Sequence, residues 1–103
     1  MKAPEPVRWR VARTPWQRLR GLLGRPPPAQ GEAWWITPCR AVHTIGMSYA
    51  IDVVFLDAQG RVLRLVPAMP PWRMAWCPRA HSVAELAEGE ARRLGWQPGT
   101  LVR

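Results

Sequence analysis

The residues whose types could do chemistry are concentrated in the middle of the chain. A thiol, an imidazole, a hydroxyl and a carboxylate stand at Cys39, His43, Thr44 and Asp52, within a run that is otherwise apolar. Burying such groups without partners costs free energy, so we expect them to bond one another or to line a cleft. This segment is therefore the predicted site, although its residue types identify no reaction.

A zinc site is one chemistry that these residue types allow. The spacing Cys-x3-His occurs twice, at Cys39 and His43 and again at Cys77 and His81, and four such ligands would suit a tetrahedral ion. Zinc sites normally bring Cys-x2-Cys pairs, however, and this chain has none. We therefore predict neither a metal nor another cofactor, and a Cys/His metal-binding protein stays an alternative.

Two further chemistries would use the same side chains. A disulfide between Cys39 and Cys77 would close a long loop and would require an oxidising compartment. Nucleophilic catalysis would use Cys39 or Thr44 as the nucleophile, with His43 as the base and Asp52 orienting it. Nothing in the sequence marks an oxyanion hole, so we expect a binding protein rather than an enzyme.

Two carboxylates stand inside apolar strand segments. Asp52 lies in Ile-Asp-Val-Val-Phe-Leu and needs a cation or several N–H donors, for which Arg73, His43 or backbone amides are candidates. Glu85 lies between apolar neighbours and poses the same question. For both we favour a structural ion pair or a turn-closing role over direct chemistry, and we interpret Met47 as core filling.

The charge of the chain is strongly basic and uneven. Its 103 residues carry a net charge of +8, with a pI of about 11.4. Residues 1–25 contain one acidic residue, Glu5, and seven basic ones: Lys2, Arg8, Arg10, Arg13, Arg18, Arg20 and Arg25. Nucleic-acid binding through this Arg-rich quarter is an alternative function, but no recognised motif accompanies it. Since almost every base is Arg and the chain has no Asn, codon bias explains the excess equally well.

Length and hydropathy set the remaining expectations. The length predicts one domain over residues 1–103. No stretch of about 18 apolar residues is present, so we predict no membrane partner. The start has no apolar signal region, which predicts a cytoplasmic location. None of these features determines the oligomeric state.

Residue periodicity predicts many short strands and two short helices. Thr14-Pro15-Trp16-Gln17 predicts a capped helix start, Gly24 the end of that helix, and Glu88–Leu94 a second helix. Strands are predicted at 7–11, 33–37, 42–44, 51–56, 61–66, 73–76, 81–86 and 100–102. The fold class is therefore α+β, a small, mostly antiparallel sheet that is curled or barrel-like. The seven tryptophans predict a largely aromatic core, with some lining a groove.

Motifs spread along the chain resemble one bacterial and archaeal family, called domain of unknown function 192. In the first half they are Arg20-Gly21-Leu22-Leu23-Gly24-Arg25, Pro38-Cys39-x-x-Val42-His43-Thr44-x-Gly46-Met47 and Ile51-Asp52. In the second half they are Gly60, Pro71-Trp72-Arg73, Cys77-Pro78 and Ser82-Val83-x-Glu85-Leu86. The resemblance covers about residues 8–103, in the family's His-Thr-x-Gly-Met subtype. It implies a small single-domain α+β fold with a curled sheet, and no established activity comes with it.

These features together predict a cleft as the working surface. We expect it to gather these side chains: Cys39, His43, Thr44, Met47, Asp52, Arg73, Cys77 and Glu85. A small or peptidic ligand would bind there, with Arg73 meeting an anionic group and tryptophans forming the apolar wall. The prediction depends on His43, Asp52 and Arg73 converging in three dimensions.

Overall fold

The computed structural model describes residues 6–103, and every element in it overlaps a predicted one. In chain order the elements are β1 (Arg8–Ala12), α1 (Pro15–Arg20), β2 (Glu32–Ile36), β3 (Ala41–His43), β4 (Ile51–Leu56), β5 (Val62–Met69), β6 (Met74–Trp76), β7 (Ser82–Ala87) and α2 (Glu90–Arg93). The predicted fold class, α+β with a mostly antiparallel curled sheet and two short helices, is confirmed.

The main sheet has five strands in the order β1-β2-β7-β4-β5. β1 runs parallel to β2, and the other neighbouring pairs are antiparallel. β4 is buried at all six of its positions, because it has a strand on either side and packed residues on both faces. The sheet curls without closing into a barrel, and β1 and β5 remain its two edges.

The pleat of β4 and β7 divides the core into two clusters, one on each face of the sheet. We call the face that carries Val53 and Val83 the inner face, and it packs against β3 and β6. We call the face that carries Val54 and Leu86 the outer face, and it packs against α2. By the register of β4 and β7, Glu85 lies on the inner face and Asp52 on the outer face.

A second, two-stranded sheet covers the inner face. β3 pairs antiparallel with β6, and the opposed residues Val42 and Ala75 join the inner cluster. Side chains alternate along a strand, so the flanking residues of both strands point away from that cluster. Those outward residues are Ala41, His43, Met74 and Trp76.

Helix α1 begins where the sequence predicts and ends earlier. The Thr14 hydroxyl accepts a hydrogen bond from the Gln17 N–H, and the Gln17 side chain accepts one from the Thr14 N–H, which completes a capping box. The helix ends at Arg20 rather than at Gly24, because Gly21 takes a φ of 51° that no helix continues through. None of the helix residues is buried, whereas Leu22 just beyond it joins the inner cluster.

Two strand ends differ from the prediction. β5 continues through Pro67 to Met69, which an edge strand tolerates because its outer N–H groups need no partner. The predicted last strand is reduced to a single bridge between Leu101 and Arg61. One bridge is too short to form a strand ladder.

The prediction of a largely aromatic core is wrong. Of the tryptophans, only Trp96 is buried, while Trp16, Trp72 and Trp76 are 69%, 65% and 60% exposed. Both clusters are built mainly from aliphatic side chains, with Phe55 in the inner one and Trp96 in the outer one. Indole rings are large and are rarely buried completely. Within residues 6–103, neither helix has the length or the apolar character that a bilayer crossing requires.

Candidate functional site

An open cavity of about 340 Å³ lies between α1, β3 and the inner face of the main sheet. Its wall is mostly aliphatic, with contributions from Leu19, Leu22, Ile36, Val42 and Met47. The ionisable side chains that border it are Arg18, Arg20, Cys39, His43 and Glu85. The cavity therefore combines an apolar wall with a small number of polar groups, as ligand sites do.

A second recess adjoins this cavity and enlarges it. The recess measures about 510 Å³ and is lined by Trp16, Leu19, Arg20, Leu23, Gly24 and His43. Four of these residues also border the cavity: Leu19, Arg20, Leu23 and His43. The two spaces are thus adjacent and share these residues at their border, and we call them together the depression.

Glu85 is the buried acid of the cavity. It lies on β7, is 3% exposed, and its Oε1 atom has no hydrogen-bond partner among the described residues. Burial raises the pKa of the Glu85 carboxyl to about 7, because the charged form loses its hydration there. A carboxyl that titrates near neutral pH and retains a free acceptor atom can hold a ligand donor or exchange a proton with it.

Gly21 keeps the space in front of Glu85 open. A Cβ atom at position 21 would lie 3.2 Å from the Oε1 atom of Glu85, which is tighter than nearly all such contacts. The φ of 51° at Gly21 also disfavours any larger residue. The backbone can therefore pass close to the carboxyl without filling the cavity.

Arg18 is a cavity residue that the sequence assigned only to the basic quarter. Its Nη1 atom donates a hydrogen bond to the Pro38 carbonyl at 3.1 Å, whereas its Nε atom is buried with no partner in the part of the chain that the structure describes. Two residues that border the cavity thus carry a buried polar atom without a partner among the described residues, one a donor and one an acceptor. No local sequence signal placed Arg18 there, because the helix ends between Arg18 and Leu22 and the cavity wall is assembled from distant segments.

Cys39 and His43 also reach the cavity. The Cys39 thiol donates a hydrogen bond to the Ala41 carbonyl at 3.1 Å, and burial raises its pKa. A thiol that keeps its proton is a weak nucleophile, which argues against Cys39 as a catalytic group. His43 is half-buried, and its Nδ1 atom accepts a hydrogen bond from the Ile45 N–H at 3.2 Å.

The expectation that Asp52 meets His43 and Arg73 is wrong. Asp52 is 1% exposed on the outer face, and its Oδ1 atom accepts hydrogen bonds from the N–H groups of Ala68 at 2.9 Å and Gly89 at 3.2 Å. Its Oδ2 atom accepts a third, from Ala91 at 2.9 Å. The carboxylate therefore fastens β5 and the start of α2 to β4, which is a structural role.

Thr44 and Arg73 form a backbone corner beside the cavity rather than part of its wall. Thr44 is fully buried, and its hydroxyl donates to the Pro70 carbonyl at 2.7 Å and accepts from the Arg73 N–H at 2.9 Å. The Arg73 guanidinium is exposed, with Nη1 at 3.4 Å from the Trp72 carbonyl. The expected contact between Arg73 and an anionic ligand group in the cleft therefore lacks geometric support.

The whole chain, residues 1–103, matches the sequence pattern of domain of unknown function 192, described as an uncharacterized ACR. The chain belongs to this DUF192 family. The resemblance expected from the motifs is thereby confirmed. No curated protein matches the chain.

Solved structures share the DUF192 fold seen here. A protein of unknown function from Novosphingobium aromaticivorans DSM 12444 superposes with a TM-score of 0.81 at 23% identity, covering 90% of this chain and 71% of that one. A candidate transcription regulator from Sinorhizobium meliloti 1021 superposes with a TM-score of 0.80 at 21% identity, covering 88% of this chain and 76% of that one. Similarity at these identities establishes the fold alone.

Among the residues that the structure describes in this DUF192 protein, the Cys and His side chains are not arranged as a zinc site, and the two cysteines are not bonded to each other. Cys39 and Cys77 are both free thiols, and Cys77 packs against the inner cluster. His81 borders a different recess, beside Asp57. Within residues 6–103, no group of three or more His, Cys, Asp or Glu side chains is placed to hold a metal ion. The repeated Cys-x3-His spacing therefore has no common centre.

The arginines of the N-terminal quarter are largely engaged within the molecule. The guanidinium groups of Arg10 and Arg25 lie over the Trp34 ring, at 5.4 Å and 4.5 Å from its centroid. Arg10 also lies 3.8 Å from the Glu32 carboxylate. Lys2 falls outside the described residues. Phosphate contact by Arg10 or Arg25 would compete with these interactions within the molecule, which weakens the nucleic-acid alternative.

Proposed function

We propose that the protein binds a small, largely apolar organic amine in the cavity, with the ammonium group held by Glu85. The observation that carries this proposal is the Oε1 atom of Glu85, which is buried and without a partner in the described chain. A buried polar atom of this kind is costly until a donor reaches it. An N–H group on a ligand would supply that donor.

The size and lining of the cavity support the same proposal. A volume of about 340 Å³ lies within the range of small-molecule sites, and the adjoining recess gives an apolar ligand room to extend. Leu22, Ile36 and Val42 would contact the apolar part. The free Nε donor of Arg18 would bind an acceptor atom on the ligand, if the ligand has one.

The charge of the ligand follows from the chemistry of Glu85. An ammonium group beside the carboxyl favours its ionised form and so lowers a pKa that burial has raised to about 7. Binding would then release a proton, and affinity would increase as the pH rises through about 7. A neutral ligand of the same shape would lack this gain.

A matched pair of probes tests the proposal. Phenethylamine and phenethyl alcohol have nearly the same shape, and their binding is followed by NMR shifts of cavity residues such as Met47 and Val42. We expect the amine to bind up to about tenfold more tightly one pH unit above the Glu85 pKa than one unit below it, and the alcohol to show no such change.

Two variants locate the effect. Glu85→Gln keeps the size of the side chain and should abolish the pH dependence of amine binding. Glu88→Gln removes the same charge from an exposed position and should leave it intact. Equal behaviour of the two variants, or amine shifts confined to residues outside the cavity, would refute the proposal.

General acid–base catalysis at Glu85 is a second candidate, favoured by its pKa of about 7. Catalysis would also need an activated group within reach of the same ligand. The pKa of the Cys39 thiol is raised by burial, and Asp52 lies on the opposite face of the sheet. Ligand binding therefore has the better support.

A further inference from the structure

One side of the molecule exposes large apolar side chains next to the cavity. Trp16 and Leu19 of α1 are 69% and 66% exposed, and Met74 and Trp76 of β6 are 61% and 60% exposed. Trp72, just before β6, is 65% exposed. We call these five residues the aromatic face. Single exposed apolar residues are ordinary, but a group of large ones near the same recess is typical of an interaction surface.

The register of the small sheet brings Met74 and Trp76 to the same side as His43 and Ala41. Met74 is paired with His43 and Trp76 with Ala41, and opposed residues of an antiparallel pair project to one side with Cβ atoms about 5 Å apart. His43 and Ala41 both border the cavity. His43 also borders the recess that Trp16 and Leu19 line. The apolar residues of α1 and of β6 therefore flank the same depression.

The backbone holds Trp72 in a strained conformation while its ring stays in solvent. Its φ is 65°, a region that bulky residues rarely adopt. The Trp72 N–H donates to the Thr44 carbonyl at 3.0 Å, and the Thr44 hydroxyl holds the next residue, Arg73. Strain of this kind persists only where the surroundings enforce it, and it is often found at functional positions. At Trp72 the strained backbone does not bury the indole ring, which stays exposed.

The chain segments that carry the aromatic face contain basic residues and no acidic ones, and Glu85 of the cavity is buried. The segments that carry the face, 15–24, 39–47 and 70–79, contain no Asp or Glu and contain these bases: Arg18, Arg20, Arg40, Arg73 and Arg79. A second copy of a chain with a net charge of +8 would be repelled. The complementary partner is anionic.

We propose that the aromatic face docks on an anionic lipid surface, with its tryptophans at the level of the headgroups and the arginines near the lipid phosphates. Tryptophan prefers this zone because its ring is apolar and its N–H is polar. Hydrocarbon adapts to projecting side chains, whereas a protein partner would need a matching concave surface. Basic residues near such a membrane each add to the attraction.

This inference goes beyond ligand binding and can fail separately from it. Trp72, Met74 and Trp76 do not border the cavity or the recess. The sequence-based expectation of no membrane partner rested on the absence of a spanning segment and on the shortness of the one candidate amphipathic helix. Docking through exposed side chains of α1 and β6 needs neither a spanning segment nor a long helix. Docking would place the opening of the depression against the headgroups.

Vesicle flotation tests the inference. Full-length protein is mixed with vesicles of phosphatidylcholine alone or of phosphatidylcholine with phosphatidylglycerol, at low and at high salt. We expect binding to the anionic vesicles, weakened by salt. Trp72→Asn, which suits the positive φ, and Trp76→Ser should each weaken binding roughly tenfold.

Matched control variants distinguish an effect of the aromatic face on vesicle binding from an effect of overall charge or hydrophobicity. Leu101→Ser removes an apolar side chain that is 56% exposed outside the aromatic face, and it should bind like the wild type. Arg73→Gln and Arg92→Gln lower the net charge equally at two exposed positions, and only the first should weaken binding, by about fivefold. Unchanged denaturation midpoints would show that the variants are folded.

Three results would overturn the inference. They are absence of binding to anionic vesicles at low salt, binding that both tryptophan substitutions leave unchanged, and equal weakening by Arg73→Gln and Arg92→Gln. Self-association that Trp76→Ser abolishes, without vesicle binding, would identify the face as an interface between copies. Amine binding in the cavity should be the same in all these variants.

Discussion

Asp52 and Glu85 are both carboxyl groups inside apolar strands, and their strands are hydrogen-bonded neighbours. Asp52 accepts three backbone hydrogen bonds, whereas Glu85 retains an Oε1 atom without a partner in the described chain. The register explains the difference: Asp52 is paired with Leu86 and Glu85 with Val53, so the two acids point to opposite faces. The elements that cover each face of the sheet thus decide the role of a buried carboxyl. They either supply hydrogen-bond donors to it, as for Asp52, or leave an acceptor atom without a partner, as for Glu85.

The largest expected effect is at the anchor. Asp52→Ala should lower the free energy of unfolding by about 3 kcal/mol or more, because three buried N–H groups lose their acceptor. Urea denaturation measures this loss. Asp57→Ala is the matched control, since that carboxylate accepts two backbone hydrogen bonds in an exposed turn and should cost about 1 kcal/mol. Equal losses in the two variants would contradict the role of Asp52.

A smaller effect is expected at Glu85, where the ionised carboxyl lowers the stability of the fold instead of supporting it. Its carboxyl has a pKa of about 7 in the folded protein and 4.5 as the ordinary value, so the folded state holds its proton more tightly than the unfolded chain. This contribution to stability is present below about pH 4.5, is lost as the pH rises through about 7, and amounts to at most about 3 kcal/mol. Denaturation midpoints over a series of pH values measure it.

The comparison with Glu85→Gln isolates this carboxyl from the other titrating groups. The variant should lose the decline between these pH values and should be more stable than the wild type above the pKa of Glu85. A wild-type profile that runs parallel to that of the variant would show that Glu85 is not the source. The pH dependence of stability would then give no support to the difference in hydrogen bonding between Asp52 and Glu85.

The smallest expected effect concerns Thr44, which resembles Asp52 in being fully bonded. Thr44→Val should cost about 1–2 kcal/mol, because the Pro70 carbonyl and the Arg73 N–H lose a buried partner. Thr100→Val is the control, since the Thr100 hydroxyl accepts one hydrogen bond, from Gln97, in an exposed turn. Thermal denaturation compares the two. Equal losses of stability in Thr44→Val and Thr100→Val would show that the hydrogen bonds of Thr44 do not fasten the fold as those of Asp52 do.

The strands were predictable because their signal is local. The apolar run from Ile51 to Leu56 can be buried only as a central strand, and the structure has it so. Element ends were less predictable, since they depend on single backbone conformations. α1 ends at Arg20 rather than at Gly24 because of the positive φ at Gly21, and the edge position of β5 lets that strand continue through Pro67.

The candidate site was predictable only in part. Polar residues in apolar surroundings drew attention to Cys39, His43 and Glu85, which border one cavity in the structure. The same signal also selected Asp52 and Thr44, which are satisfied by backbone groups far away in sequence. Burial alone does not distinguish the two cases, because the partners that satisfy a polar group come from elements whose positions the sequence does not reveal.

The sequence by itself determined the family, the α+β class, the strands and the side of each strand on which a residue lies, since apolar patterning and strand parity are local properties. The tertiary structure alone decided what covers each side. Because α2 supplies N–H donors to the outer face and α1 leaves an open cavity on the inner one, Asp52 became an anchor and Glu85 a candidate ligand-binding group.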